Sequence, residues 1–480
     1  MRLSLLSIIA TICFLTPGLF AQSPQHIGNQ RELFVDRTLI ESMDNARIVL
    51  HHPVDRGEVL AFDKPWEGAF SAYVTIIQDG DIYRAYYRGV PAAGKDGNDA
   101  EVTCYAESTD GINWIKPDLD IFELQGSGKN NIILANAAPI THNFSPFVDK
   151  NPKAIAKHRY KALGGTSASG LVAYVSPDGI QWQKLQEEPV FSQGVFDSQN
   201  VAFWSESEQQ YVCYFRTWTG GGYSGFRSVS RTTSTDFINW TDPEPMVFGD
   251  TPHEHLYTQQ TSPYFRAPHI YLAIGARFMP NRKVVSDQEA EHLGVNPKYY
   301  NDCSDVVLMS SRGGYAYERQ FMESLIRPGM GLQNWVSRSN YPALNVVQTG
   351  RDEMSIYVNQ DYAQPTAHLR RYSLRLDGFA SLSAGYEGGE LLTRPFVFEG
   401  KTLEFNFATS AAGEVRVALL DEEGAEIPGF SMKESQELIG NELARKVIWN
   451  GSTDVSSLSG KVVRMRIALK DADVYAFRFD

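Results

Sequence analysis

Cysteine is scarce. The 480-residue chain has four, and Cys13 lies in an N-terminal apolar run, which leaves Cys104, Cys213 and Cys303 for the remainder. Three thiols permit at most one intrachain disulfide, which excludes a disulfide scaffold, and their spacing matches no zinc pattern. Long apolar runs are missing as well: beyond the N-terminus nothing reaches the roughly 18 residues of a membrane-spanning helix, so no membrane partner is expected. Basic charge is in short supply. With 44 Lys and Arg against 57 Asp and Glu, the net charge is −13, and no Lys/Arg-rich run stands out. That balance argues against a nucleic-acid partner. No cofactor and no metal is expected, although His253 and His255 flank Glu254 on alternating positions. The oligomeric state is left open.

Two features are abundant or distinctive. Aromatics make up 12% of the chain, with 23 Tyr, 26 Phe and 8 Trp, which favours strands and sugar-stacking surfaces. The N-terminus reads Met1-Arg2, an apolar stretch from Leu3 to Leu15, then Thr16-Pro17-Gly18-Leu19-Phe20-Ala21-Gln22. A single positive charge, a short apolar core and a small residue at Ala21 describe a secretory signal peptide over residues 1–21. The mature chain is therefore expected outside the cytoplasm, periplasmic or extracellular.

A repeated motif organises the rest. It occurs at Ser108-Thr109-Asp110-Gly111-Ile112-Asn113-Trp114, Ser176-Pro177-Asp178-Gly179-Ile180-Gln181-Trp182 and Ser234-Thr235-Asp236-Phe237-Ile238-Asn239-Trp240. A degraded fourth copy starts at Ser310-Ser311-Arg312-Gly313. A repeat at this period signals one supersecondary unit arranged around an axis or along a stack. Asp followed by Gly makes a tight turn, and the Ile and Trp behind it are expected to plug between units. Each motif follows strands of alternating or apolar character, beginning with the hairpin Tyr73–Ile77, Gln78-Asp79-Gly80-Asp81, Ile82–Tyr87. Five such units fit within residues 31–385. The expected fold is all-β, a five-bladed β-propeller over 22–390. A C-terminal β-sandwich is expected over 391–480, where period-two alternation continues without the motif. One irregular insertion, 279–301, carries a short helix at 286–293 and is expected to overhang the pocket rim.

This arrangement resembles the five-bladed-propeller glycoside hydrolases, the arabinanase, invertase and levansucrase relatives of families 43 and 32. The likeness spans the mature chain in architecture. It is weak in catalytic motifs, because the W-M-N-D-P-N-G, R-D-P and E-C signatures are absent, so the chain reads as a divergent relative. Sialidases carry a similar box, S-x-D-x-G-x-x-W, with one more residue between Asp and Gly.

Hydrolysis of a glycosidic bond needs one carboxyl to protonate the leaving oxygen and another to activate water or attack carbon. Carboxylates precede the first strands of blades one, three and four at Asp63 and Glu67, at Asp197 and at Glu254. The resemblance implies Glu67 or Asp63 as base, Asp197 as the residue tuning the acid, and Glu254 as the acid, facing one another across the axial pocket. For the substrate, Trp66 and Trp335 offer stacking faces, and His142, Asn200, His255 and Tyr257 offer polar groups near strand starts. Arg88, Arg216 and Arg277 follow the second-strand pattern of three blades, positions that rotation would bring together around an anionic sugar. The expected function is thus a secreted glycoside hydrolase acting on a polysaccharide or oligosaccharide, with a uronate or sulfated sugar in view. A non-catalytic carbohydrate-binding propeller and a sialidase-like exo-glycosidase remain the alternatives.

Overall fold

The computed structural model describes residues 23–480 except Ala93 and Gln125; the expected signal segment, Ala21 included, lies outside the described residues. Five antiparallel sheets surround an axis. Blade I comprises Ala72–Asp79, Ile82–Gly89, Val102–Ser108 and Ile132–Leu134, from the axis outward. Blade II comprises Ser145–Val148, Tyr160–Gly164, Val172–Ser176 and Gln183–Lys184. Blade III comprises Val201–Ser205, Gln210–Trp218, Arg227–Ser234 and Glu244–Pro245. In blade IV, Leu256–Thr258 and Thr261–Tyr264 both pair with Ala267–Met279, which pairs in turn with Cys303–Ser311. Middle strands are buried on both faces, which explains runs such as Val212, Cys213, Tyr214 and Phe215, each at most 1% exposed.

Blade V closes the ring. Its strands Glu353–Gln360 and His368–Arg375 are completed on the outside by Val54–Ala61, which precedes blade I in sequence. The register sets Leu60 opposite Leu369 and Ala61 opposite His368, and Arg370 grips Asp55 at 2.8 and 2.9 Å. On the inside, Ile76 N donates to Leu344 O at 3.0 Å and Leu344 N to Val74 O at 2.8 Å, joining blades I and V at the axis.

The motif works as a turn lock. In each copy one Asp oxygen accepts two backbone N–H groups at 2.8–2.9 Å, from Ile112 and Asn113, Ile180 and Gln181, or Ile238 and Asn239. Burial nudges the Asp236 carboxyl upward, but the donors from Asn239 and Ile238 outweigh it and hold it at about 2. Gly111 and Gly179 have φ of +71° and +78°, and a Cβ at either would press on a tyrosine hydroxyl of the preceding blade, Tyr357 or Tyr86. Phe237 adopts the same turn at φ +69° and fills that space with its own ring, against Phe147 and Tyr211. The Trp plugs as expected, Trp114 meeting Tyr357 and Trp182 meeting Tyr86 and Phe144. The Ile does so only in the second copy: Ile180 packs against Ile77, Tyr86 and Tyr105 of blade I, while Ile112 and Ile238 are each 37% exposed.

The second β unit draws on both ends of the chain. Val462–Phe479 pairs along one edge with Leu403–Leu420. Its other edge pairs in succession with Phe396–Phe398, Gly389–Thr393, Ala380–Ala384 and Arg31–Leu33. Gln25–Gly28, Ile40–Asp44 and Arg47–Leu50 join the same ten-stranded sheet. The alternating runs read from the sequence are indeed strands with every second residue inside, as at Leu403, Phe405 and Phe407 or Val463, Met465, Ile467 and Leu469. The division at 390 differs, however. Residues 25–50 leave the propeller because their apolar positions, Ile27, Phe34, Leu39 and Ile40, complete the core of this second unit. The degraded fourth motif lies where the two units meet: Arg312 binds Glu32 at 2.6 Å and Asp36 at 2.8 Å, and Ser310 Oγ donates to Val35 O.

If Val54–Ala61 holds the ring shut, trimming its buried contact should loosen the whole propeller. Leu60→Ala is expected to cost about 2–4 kcal/mol in urea unfolding, while Val54→Ala, on the same strand but 54% exposed, should cost no more than about 0.5 kcal/mol.

Candidate active site

The inner strands all begin at one mouth of the propeller. Tyr73, His142, Asp197, Tyr257 and Tyr341 stand at or just before those starts in blades I to V. Tyr73 enters its strand at φ +57°, which turns its side chain out of the strand's ordinary alternation. Below them a buried amide network crosses the axis. Gln199 Nε2 donates to Thr75 Oγ1 at 2.8 Å, and Gln260 Nε2 donates to Gln199 Oε1 at 2.6 Å and to Pro342 O at 2.9 Å. The mouth is therefore a cup with a polar floor.

Four arginines gather here. Arg88 lies 4.8 Å from the Tyr73 ring and donates to Phe70 O at 2.8 Å; its Nη1 is 3.2 Å from His142 Nδ1, which also contacts Glu101 at 3.0 Å. Arg216, 4% exposed, forms an ion pair with Asp197 and lies 4.6 Å from the Tyr257 ring. Arg227 and Arg338 approach the same ring at 5.3 and 5.6 Å. Asp96, itself exposed, adds a negative charge that acts on Arg88 and Tyr73. Burial pushes the Tyr257 phenol up, yet Arg338, Arg216 and Arg227 outweigh it and hold it below the ordinary phenol value. Tyr73 moves the opposite way, raised by burial and then by the neighbouring Tyr257. Arg227 is lowered by burial.

Several buried polar atoms around this cup have no protein partner: Arg88 Nε, His142 Nε2, Asn200 Oδ1, Arg216 Nε and Nη1, Arg227 Nε and Tyr341 OH. Buried donors and acceptors are normally satisfied, so a group of orphans facing one region marks a place for a polar ligand. The 279–301 insertion supports the rim as expected. Its helix Asp287–His292 is capped by Ser286, and Tyr299 reaches the mouth 4.9 Å from Arg338 and 5.4 Å from Phe70. Beside it a groove of about 600 Å³ runs past Phe70, Asn296, Tyr300 and Gln364.

The structure thus brings together Arg88, His142, Asp197, Asn200, Arg216 and Tyr257. His255 sits at the edge, where its Nδ1 accepts from Arg227 N at 3.1 Å. Other expected residues lie elsewhere. Glu67 is fully buried inside blade I, accepting from Lys116 at 2.6 Å and Tyr87 OH at 2.6 Å. Lys116 also reaches Asp63, which is 63% exposed, and Ala61 O, so this cluster pins the closing strand. Trp66 donates to Asn131 within the same blade. Glu254 is held by Arg277 at 2.8 Å and Arg319 at 2.9 Å, and Arg277 binds Asp305 at 2.6 Å. The carboxylates expected to face one another are therefore each tied into separate ion-pair clusters, and Arg277 belongs to one of these clusters and not to the cup. Trp335 packs with the insertion and donates to Gly329 O. Arg227, Arg338, Tyr73 and Tyr341 were not singled out from the sequence. Arg227 was legible in principle, since the strand register sets it opposite Trp218; Arg338 sits at φ +63° in a loop, where no pattern points to it.

No family model matches the chain, and no curated protein does. Solved structures similar to it include a protein described as a glycoside hydrolase, at 10% identity and TM-score 0.45, covering 68% of this chain and 92% of that one. An N-acetylgalactosamine deacetylase from F. plautii, in complex with blood group B trisaccharide, aligns at 12% identity and TM-score 0.46, over 71% of this chain and 97% of that one. An α-L-arabinofuranosidase from Clostridium thermocellum aligns at 12% identity and TM-score 0.41, over 65% and 92%. The five-bladed fold stands on the strand pairings themselves.

The two carboxylates near blade I are separable by stability. Glu67→Ala leaves the buried Lys116 short of its main partner and should cost about 3 kcal/mol in chemical unfolding, whereas Asp63→Ala, at an exposed site, should cost less than about 1 kcal/mol.

Proposed function

We propose that this chain is a carbohydrate-active enzyme that cleaves glycosidic bonds in an acidic saccharide, whose carboxylate or sulfate is held in the cup by Arg88, Arg216, Arg227 and Arg338. The observation that carries this reading is the gathering of four guanidiniums, three of them with orphaned N–H groups, at one mouth of a protein whose net charge is −13. Such a cluster opposes the overall field and selects planar anions through paired hydrogen bonds. Tyr299 stands half-buried at the rim, and the groove beside the insertion gives a longer chain room to continue. Asp197 is the member of the expected carboxylate set that stands in this wall.

Binding tests the reading without knowledge of the reaction. Titration calorimetry with uronate or sulfated oligosaccharides and their neutral counterparts should show a preference for the acidic ligands that weakens with salt. Arg227→Gln and Arg338→Gln should each weaken acidic ligands about 10- to 100-fold, the range for a charge-assisted hydrogen bond of about 1.5–3 kcal/mol, and leave neutral ones little changed. Equal affinity for neutral and acidic saccharides in the unmodified chain would overturn it.

A further inference from the structure

The cup holds two phenols in opposite roles. Tyr73 donates its hydroxyl hydrogen to Asp197 O at 3.2 Å, whereas Tyr257 has three guanidiniums, those of Arg216, Arg227 and Arg338, around its ring. The strand starts bring the two side by side: Asp197, which takes the Tyr73 hydrogen bond, precedes Ser198, whose hydroxyl donates to Tyr257 O at 2.9 Å. Both rings lie beside guanidiniums, Arg88 at Tyr73 and Arg216, Arg227 and Arg338 at Tyr257. Meanwhile the carboxylates that hydrolysis would need across the pocket are tied up, Glu67 with Lys116 and Glu254 with Arg277 and Arg319.

We propose that the cup breaks a 4-linked uronate by β-elimination, with Tyr257 taking the C5 proton, Arg216 and Arg227 holding the carboxylate, and Tyr73 protonating the departing oxygen. The proposal rests on the acidic-saccharide reading above and adds the reaction to it. The atoms balance without water or a redox partner. The Tyr257 oxygen forms an O–H bond to the C5 hydrogen, and the C5–H electron pair passes through an enolate of the guanidinium-bound carboxylate to become the C4=C5 double bond. The C4–O bond breaks with its pair on oxygen, and that oxygen, now the anomeric hydroxyl of the departing sugar, takes the Tyr73 proton. Proton return from Tyr257 to Tyr73 restores the site.

The environments fit these roles. A base needs an oxygen that gives up its own proton readily, and the arginines hold Tyr257 below the ordinary phenol value against the push of burial. A sugar alkoxide is basic enough to take a proton from a phenol such as Tyr73, which burial keeps protonated. Titratable groups whose surroundings drive them apart are the mark of an acid and base pair. The other charged or titratable groups around the pair are Asp96, His142, Asp197, Tyr299, Arg338 and Tyr341.

The test uses the full chain with 4-linked uronate oligosaccharides: fragments of polygalacturonate, of alginate and of a glucuronate-containing glycosaminoglycan. The expected result is a product with the ultraviolet absorbance of a conjugated C4=C5 double bond and no oxygen taken from ¹⁸O-labelled water. The rate should rise with pH to a plateau below the range of an ordinary phenol, and Arg338→Gln should move that limb upward. Tyr257→Phe should lose about 100- to 10,000-fold in rate while binding the saccharide within about threefold and melting at an unchanged temperature. Tyr73→Phe should lose comparable activity on saccharides yet keep it on a uronate with fluoride at C4, since fluoride departs without a proton. Cleavage with ¹⁸O incorporated, binding without any unsaturated product, or a Tyr257→Phe variant of full activity would each overturn elimination and leave the acidic-saccharide reading standing. Absence of acidic-saccharide binding would remove that reading itself.

Discussion

The molecule depends on one strand pairing. A propeller is a ring, and a ring built from a linear chain has a seam; here the seam is the antiparallel register between Val54–Ala61 and His368–Arg375. Without it, blade V would present an open edge of unpaired backbone groups, the hazard that closed β architectures avoid. The seam is reinforced at both ends. Arg370 grips Asp55, and Lys116 binds Ala61 O together with Glu67 and Asp63. Because the cup is assembled from strand starts in all five blades, any spread at the seam would move Tyr73 and Arg88 of blade I relative to Tyr341 of blade V.

Charge is used in two distinct ways. Outside the cup, arginines and lysines sit in closed sets with carboxylates: Lys116 with Glu67, Arg277 with Glu254 and Asp305, Arg312 with Glu32 and Asp36. These sets are internally neutralised and hold blades and units together. Within the cup, positive charge exceeds negative, and the guanidiniums lean on tyrosine rings where carboxylates would otherwise stand. A cation over an aromatic face keeps its charge available to an incoming anion, while an ion pair does not. Arg216 does both, leaning on the Tyr257 ring and pairing with Asp197.

Much of the fold was legible because repetition multiplies a weak local signal. One Asp–Gly turn says little; three with the same flanking strands define a blade, and the copies at Asp110, Asp178 and Asp236 do make the same hydrogen bonds. What stayed hidden was non-local. Nothing in Gln25–Leu50 announces that its partners lie 330 or more residues later, and the seam strand carries no motif. The site was legible by half for a related reason. Arg88 and Arg216 occupy equivalent strand positions and do converge, but Arg277 at the corresponding place is captured by Glu254 and Asp305, which only three-dimensional neighbours decide. A carboxylate near a strand start looks alike in sequence whether it faces a ligand, as Asp197 does, or an internal lysine, as Glu67 does.

The interleaved second unit has a bearing on how the chain acquires its structure. Arg31–Leu33 hydrogen-bonds to Ala476–Arg478, and Gln25–Gly28 to Phe396–Phe398. The earlier strands must therefore stay unpaired until their distant partners arrive, and contacts of such separation form slowly because the loop must close before they repay it. The early segment is short and its exposed positions are polar, as at Gln25, His26, Glu41 and Ser42. While it waits, the apolar side chains it later buries, such as Ile27, Phe34, Leu39 and Ile40, stay uncovered, and the propeller between the two ends can close in the meantime on its own seam.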